Sequence, residues 1–347
     1  MTTPHFAPRR PAAWPWCLAL ALALAAPACA SNPKSKPDPE KQLELHRELA
    51  LRYFDEGDLL RAEDQVSRGL DIDPKDEKLQ LMLGWVRQRR GSRDDIQIAE
   101  KIFRSLLDKR DKDKDYRAQL GLAEALERKG ILYQESADAI ASGRRVSQAA
   151  DPEQRVERMR RDAEAFWDES IAMYKTVLER RPEEPQVLNG LQRVYSLRGE
   201  DEKALKWSRL LLEQNERDLE FWRRRLQQPD LTADEEADVR ELMGRTTRLQ
   251  VETHLQAATL LLRLDRKSES IGHLDSVLVL APDLANAYSR RAEILHGLGR
   301  DEEAVANLDE FLRLSDLKFE HPDIRRAFEL RAECEAAIQA KQVDTAR

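Results

Sequence analysis

The chain has 347 residues, of which 35% are charged and 41% hydrophobic, and its formal net charge is −7. This acidic balance argues against a nucleic-acid-binding protein, because contact with a phosphate backbone requires a surplus of lysine and arginine. The chain has only 13 glycines and no run of alternating apolar and polar residues, which argues against a sheet and is typical of amphipathic helices. We therefore predict an all-α fold.

Residues 1–28 have the pattern of an export signal. Two arginines precede a short apolar run that ends at Ala26, and Pro27 and Ala28 lead from there to Cys29. The apolar run is shorter than the roughly 20 residues that a membrane-spanning helix needs. Three interpretations stay open: attachment of a lipid to Cys29, cleavage by an ordinary signal peptidase, and retention as an uncleaved anchor.

The residues before Cys29 resemble the lipobox of bacterial lipoproteins, although the box lacks a leucine three residues before the cysteine. The resemblance implies that Cys29 becomes the lipidated first residue. Since no aspartate follows it, the resemblance also implies an outer-membrane address. Residues 29–40 are polar and rich in proline, so they cannot pack a core. We expect them to form a flexible tether, the alternative being an ordinary frayed N-terminus.

The body repeats a pattern of small and large residues every 34 positions, which indicates a solenoid of stacked units. Its clearest copy consists of Leu49, Ala50, Tyr53, Gly57, Ala62, Val66, Gly69, Leu70 and Pro74. These residues resemble the tetratricopeptide repeat (TPR), a pair of antiparallel helices with small residues where the helices cross. The resemblance implies a right-handed α-solenoid of about six TPR-like helical hairpins.

Two stretches interrupt the period, and we interpret both as helical insertions. The expected divisions of the body are repeats 1 and 2 with the first helix of repeat 3 in 41–129, an insertion in 130–169, the second helix of repeat 3 with repeat 4 in 170–217, a second insertion in 218–249, repeats 5 and 6 in 250–316, and a capping helix with its tail in 317–347. The C-terminal capping helix would shield the last repeat from water.

The second insertion carries the stronger local signals. We expect a short helix around Phe221 and Trp222, and then a helix that starts at a capping box of Thr232 and Glu235. If this helix continues to Leu264, it is roughly 50 Å long at 1.5 Å per residue. It either overhangs the stack as a docking surface or replaces a degenerate repeat and packs along its neighbours.

No local signature of catalysis, phosphate binding or zinc binding is present, so we predict no enzyme, no cofactor and no metal site. The alternating carboxylates of residues 111–115 mimic the start of a calcium loop, but Tyr116 and Leu122 stand where that loop needs glycine and glutamate. We interpret the run as a solvated loop. Cys334 is the only cysteine of the body and shares a helical stripe with Leu330, which predicts burial rather than reactivity.

In TPR proteins the first helix of each repeat lines a concave groove, and its fifth and ninth positions often contact the ligand. The resemblance therefore implies a partner-binding groove that includes Arg47, Leu51, Leu81, Trp85, Leu122, Asn189 and Arg193. Only Asn189 and Arg193 are similar to the clamp with which some members bind a carboxylate, so that clamp is not expected. We hypothesise an apolar groove for a partner helix or extended peptide, with Trp85 as its anchor. Alternatively, neighbouring or inserted helices already cover these side chains.

The export signal and the repeats together predict a membrane-anchored periplasmic scaffold that binds other envelope proteins and no nucleic acid. Lipoproteins of this layout resemble those that support the assembly of pilus and secretin, motility, outer-membrane protein or polysaccharide export machines. One alternative is an accessory subunit that docks an envelope enzyme through its long helices. Another is an enzyme whose catalytic side chains converge only in the folded chain.

Overall fold

The computed structural model describes residues 38–109, 116–147, 149 and 151–345. The predicted export signal with its lipidated cysteine, most of the tether and the calcium-loop-like run lie outside these residues. In the described part of the chain the structure contains 13 helices and no strand, which confirms the all-α prediction. None of the helices in this part combines the length and the apolar character that crossing a bilayer requires.

Six helical hairpins follow one another along the described chain, and a thirteenth helix closes the series. The hairpins pair α1 (Pro39–Asp55) with α2 (Leu59–Ile72), α3 (Glu77–Arg90) with α4 (Arg93–Lys109), α5 (Tyr116–Ala141) with α6 (Pro152–Arg180), α7 (Pro185–Leu197) with α8 (Asp201–Leu226), α9 (Ala233–Arg263) with α10 (Lys267–Leu280), and α11 (Ala285–His296) with α12 (Asp301–Leu314), and α13 (Pro322–Thr345) follows. Each hairpin packs against the next, which makes the chain an α-solenoid.

Side-chain caps explain where several of the helices begin. Asp38, Asp58, Asp76 and Asp151 each accept a hydrogen bond from a backbone N–H in the first turn of α1, α2, α3 and α6. Such a cap satisfies a donor that has no partner inside the helix and contributes about 1 kcal/mol. These signals are local, since each cap lies within three residues of the N–H that it satisfies.

Glycines close the turns inside the first two hairpins. Gly57 and Gly91 lie 34 residues apart in the repeat and have φ angles of +79° and +73°. A residue with a Cβ atom rarely adopts this left-handed conformation, whereas glycine does so without strain. The 34-residue spacing of these two glycines therefore marks equivalent turns of consecutive hairpins.

Small residues let three helices meet around one aromatic ring. Phe103 of α4 is fully buried between Gly84 of α3 and Gly121 of α5. A Cβ atom built at Gly84 would lie 2.6 Å from the Phe103 ring, and one at Gly121 would lie 2.5 Å from it. A larger residue at Gly84 would push the two helices of the α3–α4 hairpin apart, and one at Gly121 would separate it from the next hairpin, because protein interiors are closely packed.

The first stretch that breaks the period lengthens the third hairpin. α5 continues to Ala141 and α6 begins at Pro152, so residues 130–169 belong to the two helices of this hairpin and to the turn between them. The ring centroids of Tyr133 and Phe166 lie 5.1 Å apart, which joins the two extensions. The extension therefore packs on itself and forms no separate domain.

The second break lengthens α8 and α9. The separate short helix expected around Phe221 and Trp222 is absent from the described chain, because α8 continues to Leu226 without a glycine or proline to stop it. The predicted capping box is present at the start of α9, which runs unbroken for 31 residues, or about 46 Å. Since helix direction alternates along the stack, the α5–α6 and α8–α9 turns project from opposite edges of the solenoid.

α13 covers the last hairpin, as the predicted capping helix should. Its residues Ile324, Ala327, Leu330 and Cys334 are buried in one hydrophobic cluster with residues of α11 and α12. The prediction that Cys334 is buried beside Leu330 is confirmed.

Candidate partner-binding groove

A groove of about 1050 Å³ crosses the first helices of the first four hairpins, α1, α3, α5 and α7. Six of the predicted groove residues line it, namely Arg47, Leu51, Leu81, Trp85, Asn189 and Arg193. None of the lining residues belongs to α6, α8 or α9, so these elongated helices do not form its walls. Residues at equivalent positions of the repeat thus lie on one concave surface, although they come from three hairpins.

The seventh predicted residue, Leu122, does not line the groove. Its side chain is buried in a cluster with Phe103 and Leu106, and the indole of Trp85 packs against that cluster. α5 contacts hairpins on both sides, so this position faces the interior of the stack. The prediction is wrong at Leu122 because α5 turns a neighbouring face toward the groove.

The groove side of α5 includes Leu120, Glu124, Glu127 and Ile131. These residues are spaced by three or four positions, so they share one face of the helix. The same spacing is present in the sequence. However, the fifth and ninth helix positions that the TPR resemblance implies as ligand contacts place Leu122, and not these residues, in the groove. Sequence reasoning therefore misses Glu124 and Glu127, the two glutamates of α5 that line the groove.

Three side chains form what we call the apolar patch of the groove: Leu51, Met82 and Trp85. Leu51 keeps 50% of its surface exposed, and Met82 and Trp85 are partly buried. The Trp85 and Phe103 rings meet edge to face, with centroids 5.4 Å apart. Because the buried Phe103 ring holds the indole, Trp85 is a preformed anchor that loses little conformational freedom on binding.

Charged side chains also line the groove, which is therefore not apolar throughout as hypothesised. Arg47 donates from Nε to Asp76 at 3.0 Å and from Nη1 to Glu44 at 2.5 Å. Burial alone would raise the pKa of Asp76, but hydrogen bonds from Arg47 and from the Leu79 amide lower it below its usual value. Arg47 is thus engaged by two carboxylates at the first-hairpin end of the groove.

A hydrogen-bonded triad of Glu127, Tyr174 and Arg193 joins α5, α6 and α7 at the floor of the groove. Arg193 donates to Glu127 from Nε at 2.7 Å and from Nη2 at 2.9 Å, and the Tyr174 hydroxyl donates to the same carboxylate at 2.8 Å. Burial, followed by the charge of Glu127, raises the pKa of Tyr174 well above its usual value, so the hydroxyl stays a neutral donor. Two of the five N–H donors of Arg193 thus bond to Glu127, which neutralises its charge and weakens its attraction for a ligand carboxylate.

Glu124 lies one helical turn before Glu127 and has a different environment. Its Oε2 accepts a hydrogen bond from Nε2 of Gln88 at 2.7 Å, and no ion pair joins it to the described residues. Burial raises the pKa of Glu124 to about 7; Arg193 and Gln88 oppose this more weakly, and the charge of Glu127 adds to it. The Oε1 atom of Gln88 is buried and has no hydrogen-bond partner in the described chain. The floor thus combines a carboxylate that titrates near neutral pH with an unused acceptor.

A second polar cluster lies at the other end of the solenoid. His296, Asp301 and Cys334 place donor atoms of metal-binding types within 4.8 Å of one another. Asp301 already accepts a hydrogen bond from Lys341 at 2.6 Å, and His296 Nδ1 lies 2.7 Å from its other oxygen. Burial, followed by the charge of Asp301, raises the pKa of Cys334 and keeps it a thiol. We therefore assign the cluster to the docking of α13 on α11 and α12.

The stacked hairpins and their concave groove define the chain as an α-solenoid of TPR-like hairpins. Family models give no match to the sequence, and curated proteins give none either. Among solved structures, the chain is similar to a thermophilic TPR protein of Thermus thermophilus, with 17% identity over 74% of this chain and 99% of that one and a TM-score of 0.44. It is also similar to Pseudomonas aeruginosa pilF, with 14% identity over 85% of this chain and 99% of that one and a TM-score of 0.49. Neither similarity bears on what the groove binds.

Proposed function

We propose that the chain is a scaffold that holds a segment of another protein in the groove of its first four hairpins. The observation that carries the proposal is the groove itself, a concave cavity with a volume of about 1050 Å³ that contains an apolar patch. Grooves formed by helices bind amphipathic helices or extended peptides through a few apolar anchors, and a rigid tryptophan is among the strongest anchors. Trp85, positioned by Phe103, fits this role.

A photo-crosslinking experiment tests the groove directly. Leu51 is replaced by p-benzoylphenylalanine in the full chain, and Leu60, which lies on α2 and is 75% exposed, is replaced in the same way as a matched control. We expect a partner to be crosslinked at position 51 and not at position 60. The crosslink should disappear in the Trp85→Ala variant while its circular dichroism stays helical. Equal crosslinking at both positions, or none at position 51, would remove the support for a groove ligand.

We further propose that this scaffold works in the bacterial envelope, anchored through a lipid on Cys29 at the periplasmic face of the outer membrane. The support comes from the sequence of residues 1–40 alone, with its apolar run, its lipobox-like residues and its proline-rich tether. Such a scaffold would hold envelope proteins during the assembly of a larger machine of the pilus and secretin, motility, outer-membrane protein or polysaccharide export type.

Mass spectrometry of the mature N-terminus tests the anchor. A diacylglyceryl group on Cys29, absent in Cys29→Ser, is the expected result. An unmodified terminus at or near Cys29 would indicate plain secretion, and an intact N-terminus would indicate an uncleaved anchor. Either of these two results would exclude the lipoprotein proposal and leave the groove proposal untouched.

The second candidate function is an accessory subunit that docks an enzyme through its long helices. One observation favours it: Phe221 near the end of α8 is 59% exposed, and its ring lies 4.7 Å from that of Trp222. An exposed phenylalanine beside a partly buried tryptophan is a typical docking feature. If this candidate is right, Phe221→Glu abolishes partner recovery while Trp85→Ala leaves it intact, which is the reverse of the result expected for the groove.

A further inference from the structure

On the floor of the groove, ionised Glu124 forms no direct ion pair with the described residues, although the charges of Arg89 and Arg193 act on it from nearby. Glu124 and Glu127 lie one helical turn apart on α5, and Arg193 donates both of its hydrogen bonds to Glu127. Within the described residues Glu124 accepts only from the neutral amide of Gln88. A partly buried carboxylate whose only direct partner is a neutral amide is incompletely stabilised, so it gains when a cation donates to it directly.

The second observation is the free acceptor beside that carboxylate. Gln88 uses its Nε2 to donate to Glu124, which leaves its Oε1 buried and without a partner in the described chain. A carboxylate and an amide oxygen side by side accept hydrogen bonds and donate none. The group that satisfies both is a cation with several N–H donors, which in a protein partner means a lysine ammonium or an arginine guanidinium.

The position of this acceptor pair relative to the apolar patch defines the ligand further. Trp85 and Gln88 are three residues apart on α3, so their side chains are neighbours on one helix face. A segment with an apolar side chain against Trp85 therefore brings the next one or two residues close to Glu124. The ligand is one in which an apolar and a basic residue are close together.

We propose that the groove binds a peptide segment whose apolar side chain contacts Trp85 and whose neighbouring lysine or arginine donates to the Glu124 carboxylate and to Oε1 of Gln88. This inference rests on the proposed function, because it names the chemistry of the segment that the groove holds. It is the reverse of a carboxylate clamp, since the basic residue Arg193 is already neutralised by Glu127.

The environment of Glu124 also gives the binding a pH dependence. The groups that face it are Gln88 and Arg89 of α3, Glu127 of α5 and Arg193 of α7, with the neutral Tyr174 of α6 behind them. Because the pKa of Glu124 is about 7, the carboxylate is mostly protonated at pH 6 and mostly ionised at pH 8. A cationic segment binds the ionised form, so its affinity should increase over this interval.

The test uses pools of N-acetylated, C-amidated hexapeptides that contain one fixed leucine and, two residues later, a fixed lysine, norleucine or glutamate. Norleucine keeps the four side-chain carbons of lysine and lacks its ammonium group. The pools are passed over the immobilised full chain at pH 8 and pH 6, and over its Glu124→Gln and Glu48→Gln variants. Glu48 lines the same groove and is exposed, so it controls for a general loss of negative charge.

We expect the lysine pool to be retained about tenfold more strongly than the norleucine pool at pH 8, as a charge-assisted hydrogen bond would give. This preference should weaken at pH 6, disappear in Glu124→Gln and persist in Glu48→Gln. The pH arm uses the unmodified chain, so the test does not depend on the folding of a variant. Equal retention of the lysine and norleucine pools, or a preference for glutamate, overturns the cation proposal and leaves groove binding intact. Retention of no pool at all overturns both proposals.

Discussion

The groove floor in the first four hairpins and the contact of α13 with the last hairpin belong to one repeat architecture but differ in how their polar side chains are paired. On the floor of the groove, Glu124 has only an amide partner among the described residues, and Oε1 of Gln88 has none. At the other end, Asp301 is 2% exposed and contacts both His296 and Lys341. Polar groups that satisfy one another hold a structure together, whereas unsatisfied ones favour a ligand that supplies the missing partner. The repeat determines the backbone, and side-chain pairing distinguishes the two regions.

The largest expected effect tests whether the two regions are separable. Phe103→Ala and Phe311→Ala each remove a fully buried ring, one under the groove and one under the cap, and each should lower the free energy of unfolding by about 3–5 kcal/mol. Only Phe103 holds Trp85, so only its loss should also abolish the crosslink at Leu51. Urea denaturation and crosslink yield measure the two effects. Loss of the crosslink in Phe311→Ala would show that the regions are coupled.

From the raised pKa of Glu124, we predict that the free energy of unfolding decreases as pH rises. Its pKa increases from 4.5 to about 7 on folding, so the folded chain holds the proton more tightly, and stability falls between pH 4.5 and pH 7. The total loss from this group is at most about 3 kcal/mol. Glu124→Gln should therefore be more stable than the parent at pH 8 and similar to it at pH 4.5, as measured by thermal unfolding. A variant that is less stable than the parent at pH 8 would contradict this.

His254 predicts the opposite pH response in the fifth hairpin. Its Nδ1 lies 2.9 Å from Nδ1 of His273, and burial, with the neighbouring His273 as a smaller influence, lowers its pKa from 6.5 to about 4. The unfolded chain binds the proton more tightly, so this group costs stability as pH falls from 6.5 to 4, by at most about 3 kcal/mol. His254→Phe keeps the ring and should flatten that part of the stability profile. An unchanged profile would show that the pair does not titrate with folding.

The smallest expected effect concerns the elongated helix that begins the fifth hairpin. Thr232→Ala removes the capping box of α9 and should cost about 1 kcal/mol, since one backbone N–H loses its partner. Hydrogen exchange should rise in the first turn of α9 and remain unchanged at the groove. If exchange also rose in α3 or α5, the two regions would be less independent than the solenoid architecture implies.

Much of the architecture was predictable because its signals are local. Gly57 occupies a turn that needs a left-handed backbone, and Thr232 with Glu235 forms a capping box that the sequence shows directly. The continuous α8 was missed although its signal was also local, since no helix breaker precedes Leu226. There the 34-residue period suggested a boundary that the chain itself does not contain.

The groove was predictable only in part. The repeat offset correctly places Leu51, Trp85 and Arg193 on one surface, because equivalent positions of stacked units face the same way. It fails at Leu122, since the orientation of α5 depends on hairpins packed against both of its sides. The same orientation brings Glu124 onto the groove floor, and no sequence motif predicts this position.

The sequence by itself determined that the chain is a stack of helical hairpins, because helix periodicity, caps and turn glycines act within a few residues of one another. Only the tertiary structure decided which carboxylate is paired. Arg193 lies 66 residues from Glu127 along the chain and is similarly distant in sequence from Glu124. Arg193 pairs with Glu127 because of how α5, α6 and α7 pack. This pairing leaves Glu124 as the carboxylate with which a partner can form an ion pair.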